Sequence, residues 1–322
     1  MAKLISITLI TGILITLTMS VYFYTKARSY PASFQEGDKE LGNQYHFSFI
    51  VQEYENPYLL DLFSGAEKAA NDYHISLDYK GPRQTNFEEQ IKLIEKAIAS
   101  KVDGIITQGL SEEFIPIIQK AIDANIPVIT IDTDLEGSAR QTYIGTNNYQ
   151  AGVEVGKLVM EENKPGVKVG VIAGDLHTNQ HTERVRGFVD AIKSEDKIEV
   201  VGVEMSNLSN IQATEKTYQM LRDHPDIEVF FGTSAMDGFG IANGIEIYRP
   251  NQQIKVYAFD DISENIELLK EGKIHAIIQQ LPYEMGYKSI ERMLQLKTGD
   301  EIESYYYTDV NILKNDASIP TE

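Results

Sequence analysis

From His46 onward, short apolar, β-branched runs alternate with longer stretches whose apolar residues recur every three or four positions. The first kind predicts strands and the second helices. The opening series predicts strands over His46–Gln52, Ser76–Tyr79, Gly104–Thr107 and Pro127–Asp132. Helices are expected between them over Tyr58–His74, Phe87–Ser100 and Glu112–Ala124. Ile91, Ile94, Ala97 and Ile98 share one face of the second helix, and Val128-Ile129-Thr130-Ile131 has the composition of a strand covered on both sides.

The rhythm then restarts. Helices are expected over Gln150–Met160, Thr182–Lys193, Ile211–Asp223, Ala235–Ile247, Ser263–Glu271 and Tyr283–Leu296. The second series of strands covers Lys168–Ala173, Glu199–Val203, Glu228–Phe231, Ile254–Phe259 and His275–Gln279, and a last extended segment covers Ser304–Leu313. Such alternation gives parallel strands with helices on both faces. Two series of this length predict an α/β protein of two similar Rossmann-like, three-layer lobes. The 322 residues fit two domains better than one core.

Ahead of this rhythm stands a different pattern. Leu4 to Tyr24 is an uncharged run of 21 residues. As a helix it would extend about 30 Å, the thickness of a bilayer core. Tyr22 and Tyr24 would mark the interface, with Lys26 and Arg28 just beyond. The alternative is a cleaved signal peptide, but the run exceeds the usual apolar region, and Thr25-Lys26-Ala27 is a poor small-residue cleavage site. Residues 1–24 are therefore expected to be a transmembrane anchor, and the polar residues 25–44, with Pro31, Gly37 and Gly42, a linker.

Charge and composition narrow the function. Acidic side chains outnumber basic ones 48 to 29, a balance of −19. Such a chain is repelled by phosphate backbones, which argues against nucleic acid as a partner. The absence of cysteine excludes disulfides, thiolate metal sites, cysteine nucleophiles and lipidation at an N-terminal cysteine.

In sheets of this kind ligands gather at the carboxyl ends of the strands. Asn56 and Tyr58 follow the first strand: an amide that can donate to and accept from a hydroxyl, and a ring that can stack on the apolar face of a sugar. Asn-Pro is equally an ordinary helix start. Asp132, with Thr133 and Asp134, follows the Pro127 strand; Asp260, with Asp261, follows the Ile254 strand. A carboxylate there accepts hydroxyl hydrogen bonds, although a turn also favours aspartate. Two aspartates at equivalent strand ends say more than either alone. Arg184 opens a helix and can extend a planar, multi-donor head into a cleft. Gln280 offers both a donor and an acceptor, and Thr233-Ser234 has the chemistry of a helix cap.

Other motifs point nowhere. His177 and His181 are four apart, but their Asn/Thr-rich surroundings read as loop, and Glu183, the nearby carboxylate, suits a helix cap; no metal site is expected. Gly232, Gly238, Gly240 and Gly244 do not form a dinucleotide fingerprint, and there is no Walker loop or nucleophile elbow. No cofactor and no catalytic residue is expected.

From about His46 to Asp316 the chain resembles the type I periplasmic sugar-binding proteins, particularly the ribose-binding branch. The resemblance rests on NPYLLDLFSGAEKAA, VDGIITQG, IPVITIDTD, IGTNNYQAG, ERVRGF, HPDIEVFFGTSAMDGFGIA, VYAFDD and QQLPYEMG, in the family's order and spacing. It implies two lobes joined by a three-strand hinge near Asn147, Gln280 and Asp309. The N-lobe would be 45–146 with 281–308, the C-lobe 147–280 with 309–316, and 317–322 a tail. It implies ligand contacts at Asn56, Tyr58, Asp132, Arg184, Asp260 and Gln280. Thr133 and Thr233 occupy positions where the family usually has arginine and asparagine, and Leu59 and Leu208 replace aromatics, so another pentose, a hexose, a polyol or a small furanose stands beside ribose as a candidate. The expected partner is an ABC permease or, given an uncleaved anchor, a membrane sensor kinase. The binding domain would face outward from the cell membrane. A repressor would need a helix-turn-helix where the apolar segment stands, and nothing selects an enzyme over a binding protein.

Overall fold

The computed structural model describes residues 45–193, 198–250 and 253–315. The expected anchor, linker and tail lie outside them. Among the described residues no helix is long and apolar enough to cross a membrane.

The chain adopts two α/β lobes. The first is built on β1 (His46–Ile50), β2 (Ser76–Lys80), β3 (Gly104–Thr107), β4 (Val128–Ile131) and β5 (Thr142–Thr146), with helices α1 (Pro57–Asp72), α2 (Phe87–Ala99) and α3 (Ile115–Asp123) between them. β3 and β4 are buried at every residue, as apolar strands between helical layers must be. α1 starts where Asn56 Oδ1 accepts from the backbone N–H groups of Tyr58 and Leu59 and Pro57 occupies the first turn. It buries Leu59, Leu62, Ala66, Ala69 and Ala70 against the sheet. Each large apolar side chain so covered contributes about 1.5–3 kcal/mol.

The second lobe repeats the plan with α4 (Asn148–Glu162), β6 (Val167–Ala173), α5 (Asn179–Lys193), β7 (Ile198–Met205), α6 (Asn210–Asp223), β8 (Ile227–Gly232), α7 (Ala235–Tyr248), β9 (Lys255–Phe259), α8 (Ser263–Lys270) and β10 (Ala276–Gln279). After these, α9 (Pro282–Thr298) returns to pack on α1, β11 (Tyr305–Thr308) joins the first sheet and β12 (Asn311–Lys314) the second. The sheet orders are β11-β5-β4-β3-β1-β2 and β12-β10-β9-β8-β6-β7. All pairings are parallel except that of β12 with β10. The chain thus passes between the sheets three times: after β5, after β10, and between β11 and β12.

The sequence pattern missed or blurred four features. β5 was not expected; it is short and interrupted by Gly145, whose missing side chain admits the Tyr143 hydroxyl, since a Cβ there would lie 2.1 Å from it. The helix expected over Glu112–Ala124 is a 3-10 turn at Glu112–Phe114 followed by α3, divided near Pro116, which cannot donate a helical hydrogen bond. The single extended segment over Ser304–Leu313 is two strands in two sheets. The segment around His181, read as loop, already belongs to α5, because Asn179 and Gln180 continue the helical backbone toward the N-terminus.

α1 and α9 pack closely through two glycines. A Cβ at Gly286 would lie 1.7 Å from the carbonyl oxygen of Leu62, and one at Gly65 1.9 Å from that of Tyr283. Both obstacles are backbone, so the helices themselves would have to separate. Gly286→Ala should therefore destabilise the protein by at least about 1–3 kcal/mol in equilibrium urea unfolding. Substitution at Gly272, whose neighbourhood is open, would involve only its left-handed backbone.

Candidate ligand-binding cleft

The carboxyl ends of β4 and β9 are built alike. Asp132 and Asp260, the next residues, have left-handed backbone with φ of 63° and 65°. Each donates its N–H across to the neighbouring strand, Asp132 to Ile144 and Asp260 to Ile278, at 2.8 and 2.9 Å. Aspartate tolerates this conformation better than most residues. The turn frees each carboxylate from its sheet and aims it past the strand end.

Donors converge on Asp132 from three elements. Tyr58 Oη, on α1, donates to Oδ1 at 2.8 Å. Gln108 Nε2, after β3, and Thr133 Oγ1 donate to Oδ2 at 2.9 and 3.1 Å. The Gln108 amide is oriented by the backbone N–H of Gln52, which donates to Oε1 at 3.0 Å. Tyr143 Oη donates to the Asp132 carbonyl at 2.8 Å. Burial, and then the nearby Asp132 carboxylate, hold both phenols protonated well above the usual tyrosine range. On Asp260, Oδ1 accepts from Gln280 Nε2 at 2.8 Å. Burial raises the Asp260 carboxyl above its ordinary range, with Arg184 opposing the shift.

Arg184 is the cation of this region. It is 4% exposed, with Nε donating to Asn148 Oδ1 and Nη1 to the Thr233 carbonyl, both at 2.8 Å. Its guanidinium lies 3.8 Å from the centre of the Phe259 ring. Burial works against its charge; the Asp260 and Asp132 carboxylates work for it, Asp260 the more. Because Arg184 interacts with aspartates from both sheets, the two strand ends face one another.

The expected site residues fall into two groups. Tyr58, Asp132, Thr133, Arg184, Asp260 and Gln280 come together here. Tyr58 meets Asp132 through its hydroxyl, a different use of the side chain from ring stacking alone. Asn56 and Thr233 take supporting places, Asn56 as a helix cap and Thr233 through the carbonyl that accepts from Arg184. Asn56 Oδ1 caps α1, and Asn147, expected in the hinge, caps α4 by accepting from the Gln150 N–H. Thr233 is fully buried, and its hydroxyl accepts from the Gly174 N–H at 3.1 Å. Asp309 is exposed between β11 and β12. Glu183 is not a cap; it pairs with Arg186. Leu59 lies in the core at 1% exposure, whereas Leu208 is half exposed.

Gln108, Tyr143, Asn148 and Phe259 were not singled out in the sequence. Gln108 follows a strand as the aspartates do, and that position was its available signal. Among the described residues no group of side chains is arranged to hold a metal ion. His181 Nδ1 instead lies 3.1 Å from Thr233 Oγ1 and 3.2 Å from its carbonyl.

A family model described as a periplasmic binding protein domain matches residues 47–301. The chain belongs to that family. It is 24% identical over 266 residues to the D-ribose/D-allose-binding protein of Pseudomonas aeruginosa, covering 80% of this chain and 83% of the relative. To the ribose import binding protein RbsB of Escherichia coli it is 23% identical, covering 83% and 89%. Among solved structures, GanP, a glucose-galactose binding protein from Geobacillus stearothermophilus, is 41% identical with a TM-score of 0.78, covering 85% of this chain and 99% of GanP. A structure titled as the XylFII-LytSN complex matches at 31% identity and a TM-score of 0.71, covering 84% and 98%.

Burial, and then Arg184, depress the His181 pKa from 6.5 to about 4. The unfolded chain therefore takes up this proton first. The neutral ring's contribution to stability is complete above about pH 6.5 and is lost as pH falls toward 4, by about 3 kcal/mol in all. Asp237, raised by burial to about 6, acts in the opposite sense: it favours the folded state as pH falls from about 6 to 3.8. The wild-type curve thus mixes the two. His181→Gln should lose less stability than wild type between pH 7 and 4, measured by urea unfolding at each pH.

Proposed function

We propose that the chain is an extracytoplasmic sugar-binding protein whose lobes close on a small sugar or polyol. The observation that carries this reading is the pair of aspartates on matching left-handed turns, facing a buried arginine. Hydroxyls bonded to charged partners make the stronger kind of hydrogen bond. The arrangement offers acceptors at Asp260 and Asp132 and donors at Arg184 and Gln280, as a polyhydroxylated ligand requires. In this reading Thr133 contributes beside Asp132, Asn56 from the cap that begins the Tyr58 helix, and Thr233 through Arg184. The names of the ribose-, allose-, glucose- and galactose-binding relatives support this ligand class. We read the cleft as binding rather than catalytic, because those relatives are named as binding proteins and the carboxylates are already held by donors.

The favoured use is ligand reporting to a membrane sensor kinase. The 31% identity to the protein in a XylFII-LytSN complex supports it, as does the apolar run from Leu4 to Tyr24 within residues 1–24, read as an anchor at the cell membrane. The second reading, delivery to a sugar ABC permease, is favoured by the import proteins among the relatives. Hinge bending near Asn147, Gln280 and Asp309 would close the lobes in either case.

Pentoses, hexoses, polyols and small furanoses should be screened by thermal shift. A ligand at about 100 times its dissociation constant should stabilise the protein by about 2.7 kcal/mol. No shift with any of them would overturn the sugar assignment. Capture from membranes with and without the ligand found would then separate the two uses: a sensor kinase recovered supports the first, a permease the second.

Asp132→Ala and Asp260→Ala should each weaken binding at least about tenfold by isothermal titration calorimetry, since each leaves ligand hydroxyls without an acceptor. Unchanged affinity in both would remove the cleft as the site.

A further inference from the structure

The three passages between the sheets are connected to one another by two consecutive glutamines. Gln279 and Gln280 lie where the chain leaves β10, the second passage. Gln280 Oε1 accepts from Thr146 Oγ1, on the last residue of β5 at the first passage, at 2.7 Å. Gln280 Nε2 donates to Asp260 at 2.8 Å. Gln279 repeats the scheme on the other side: its Oε1 accepts from Asn311 Nδ2, at the third passage, at 3.2 Å, and its Nε2 donates to Asp261 Oδ2 at 2.6 Å. All three passages are thereby tied to the Asp260-Asp261 turn.

The two halves differ in weight. Gln279, Asp261 and Asn311 bond at the surface, where water replaces a lost partner. Thr146 and Gln280 are 2% and 9% exposed. There a lost partner leaves a buried polar atom unsatisfied, which is the larger effect. Thr146 also fixes which end of the amide meets Asp260: with Oε1 held by the threonine hydroxyl, the NH2 end faces the carboxylate. A ligand drawing on Asp260 therefore acts on a group connected through one side chain to two of the three passages.

We propose that Thr146 is a positioning residue that couples Asp260 to the hinge, setting the relative placement of the lobes through Gln280. This rests on the reading of the cleft as the ligand site. Its hydroxyl bonds to the Gln280 amide and acts on the Asp260 carboxylate through that amide.

Interlobe distance tests this without any ligand. The chain has no cysteine, so Gln119→Cys on α3 and Glu215→Cys on α6 provide unique positions for two spin labels. Distance distributions are compared by double electron–electron resonance in the full chain in mild detergent, for wild type, Thr146→Val and Thr146→Ser. The valine should broaden or shift the distribution, and the serine, which keeps the hydroxyl, should match wild type. Gln280→Met removes both links and should behave as the valine does, which preserves the comparison if Thr146→Val does not fold.

Affinity is measured in parallel for D-ribose, D-glucose, D-galactose and L-arabinose. Thr146→Val should bind any sugar taken up by wild type about 3- to 30-fold more weakly, with recovery in Thr146→Ser. Matching distance distributions for wild type, Thr146→Val and Gln280→Met would overturn the proposal, even if affinity fell, because Thr146 would then be an ordinary buried hydroxyl. A wild-type protein that takes up none of the sugars would count against the sugar assignment, and the distance comparison would still decide the coupling.

Discussion

Two carboxylates have to stand at the ends of buried strands without remaining in their sheets. The left-handed turn at Asp132 and at Asp260 meets this requirement, and much else in the structure follows from it. The turn leaves the N–H bonded to the next strand while it sends the carboxylate outward, so the acid is rigid without being satisfied by its own backbone. A buried anion then needs donors or an opposite charge. Asp132 is met by neutral donors from α1, from the end of β3 and from its own turn; Asp260 is met by one amide and the field of Arg184. The same backbone device is thus completed in two chemical ways.

The difference follows from what surrounds each turn. Position 133 is threonine, and the hydroxyls of Tyr58 and Thr133 with the Gln108 amide, rather than a guanidinium at that position, meet Asp132. In the other lobe Arg184 is held before any ligand arrives: Asn148 and Thr233 fix its hydrogen bonds and Phe259 supports its plane. Thr233 is in turn held by Gly174 and His181. A side chain of this length would otherwise lose much of its conformational freedom on binding, and here that ordering has already occurred.

Much of this was legible in the sequence. Period and composition specified the alternation of strands and helices, and counting residues past each strand located both aspartates. Gln280 was found by the same rule, and Arg184 from its place at the opening of an expected helix. Where the pattern failed, the reasons are local. β5 is too short, and too interrupted by Gly145, to show a period. Continuation of α5 back to Asn179 overrode the loop chemistry of an Asn/Thr-rich segment. Gln108 is a common polar residue whose importance comes from a backbone N–H 56 positions away in the chain, a relation no local window contains. Asn56 shows the converse: its residue type suited a ligand, and its side chain serves the helix that follows.

The last two strands have a consequence of a different kind. β11 and β12, separated by only two residues, complete the outer edges of two different sheets. During synthesis, neither lobe can close its sheet until this short stretch has emerged, although the residues that make most of both cores are already present. Up to that moment the nascent chain carries two unfinished edges, each a row of unpaired backbone groups on which another strand could pair.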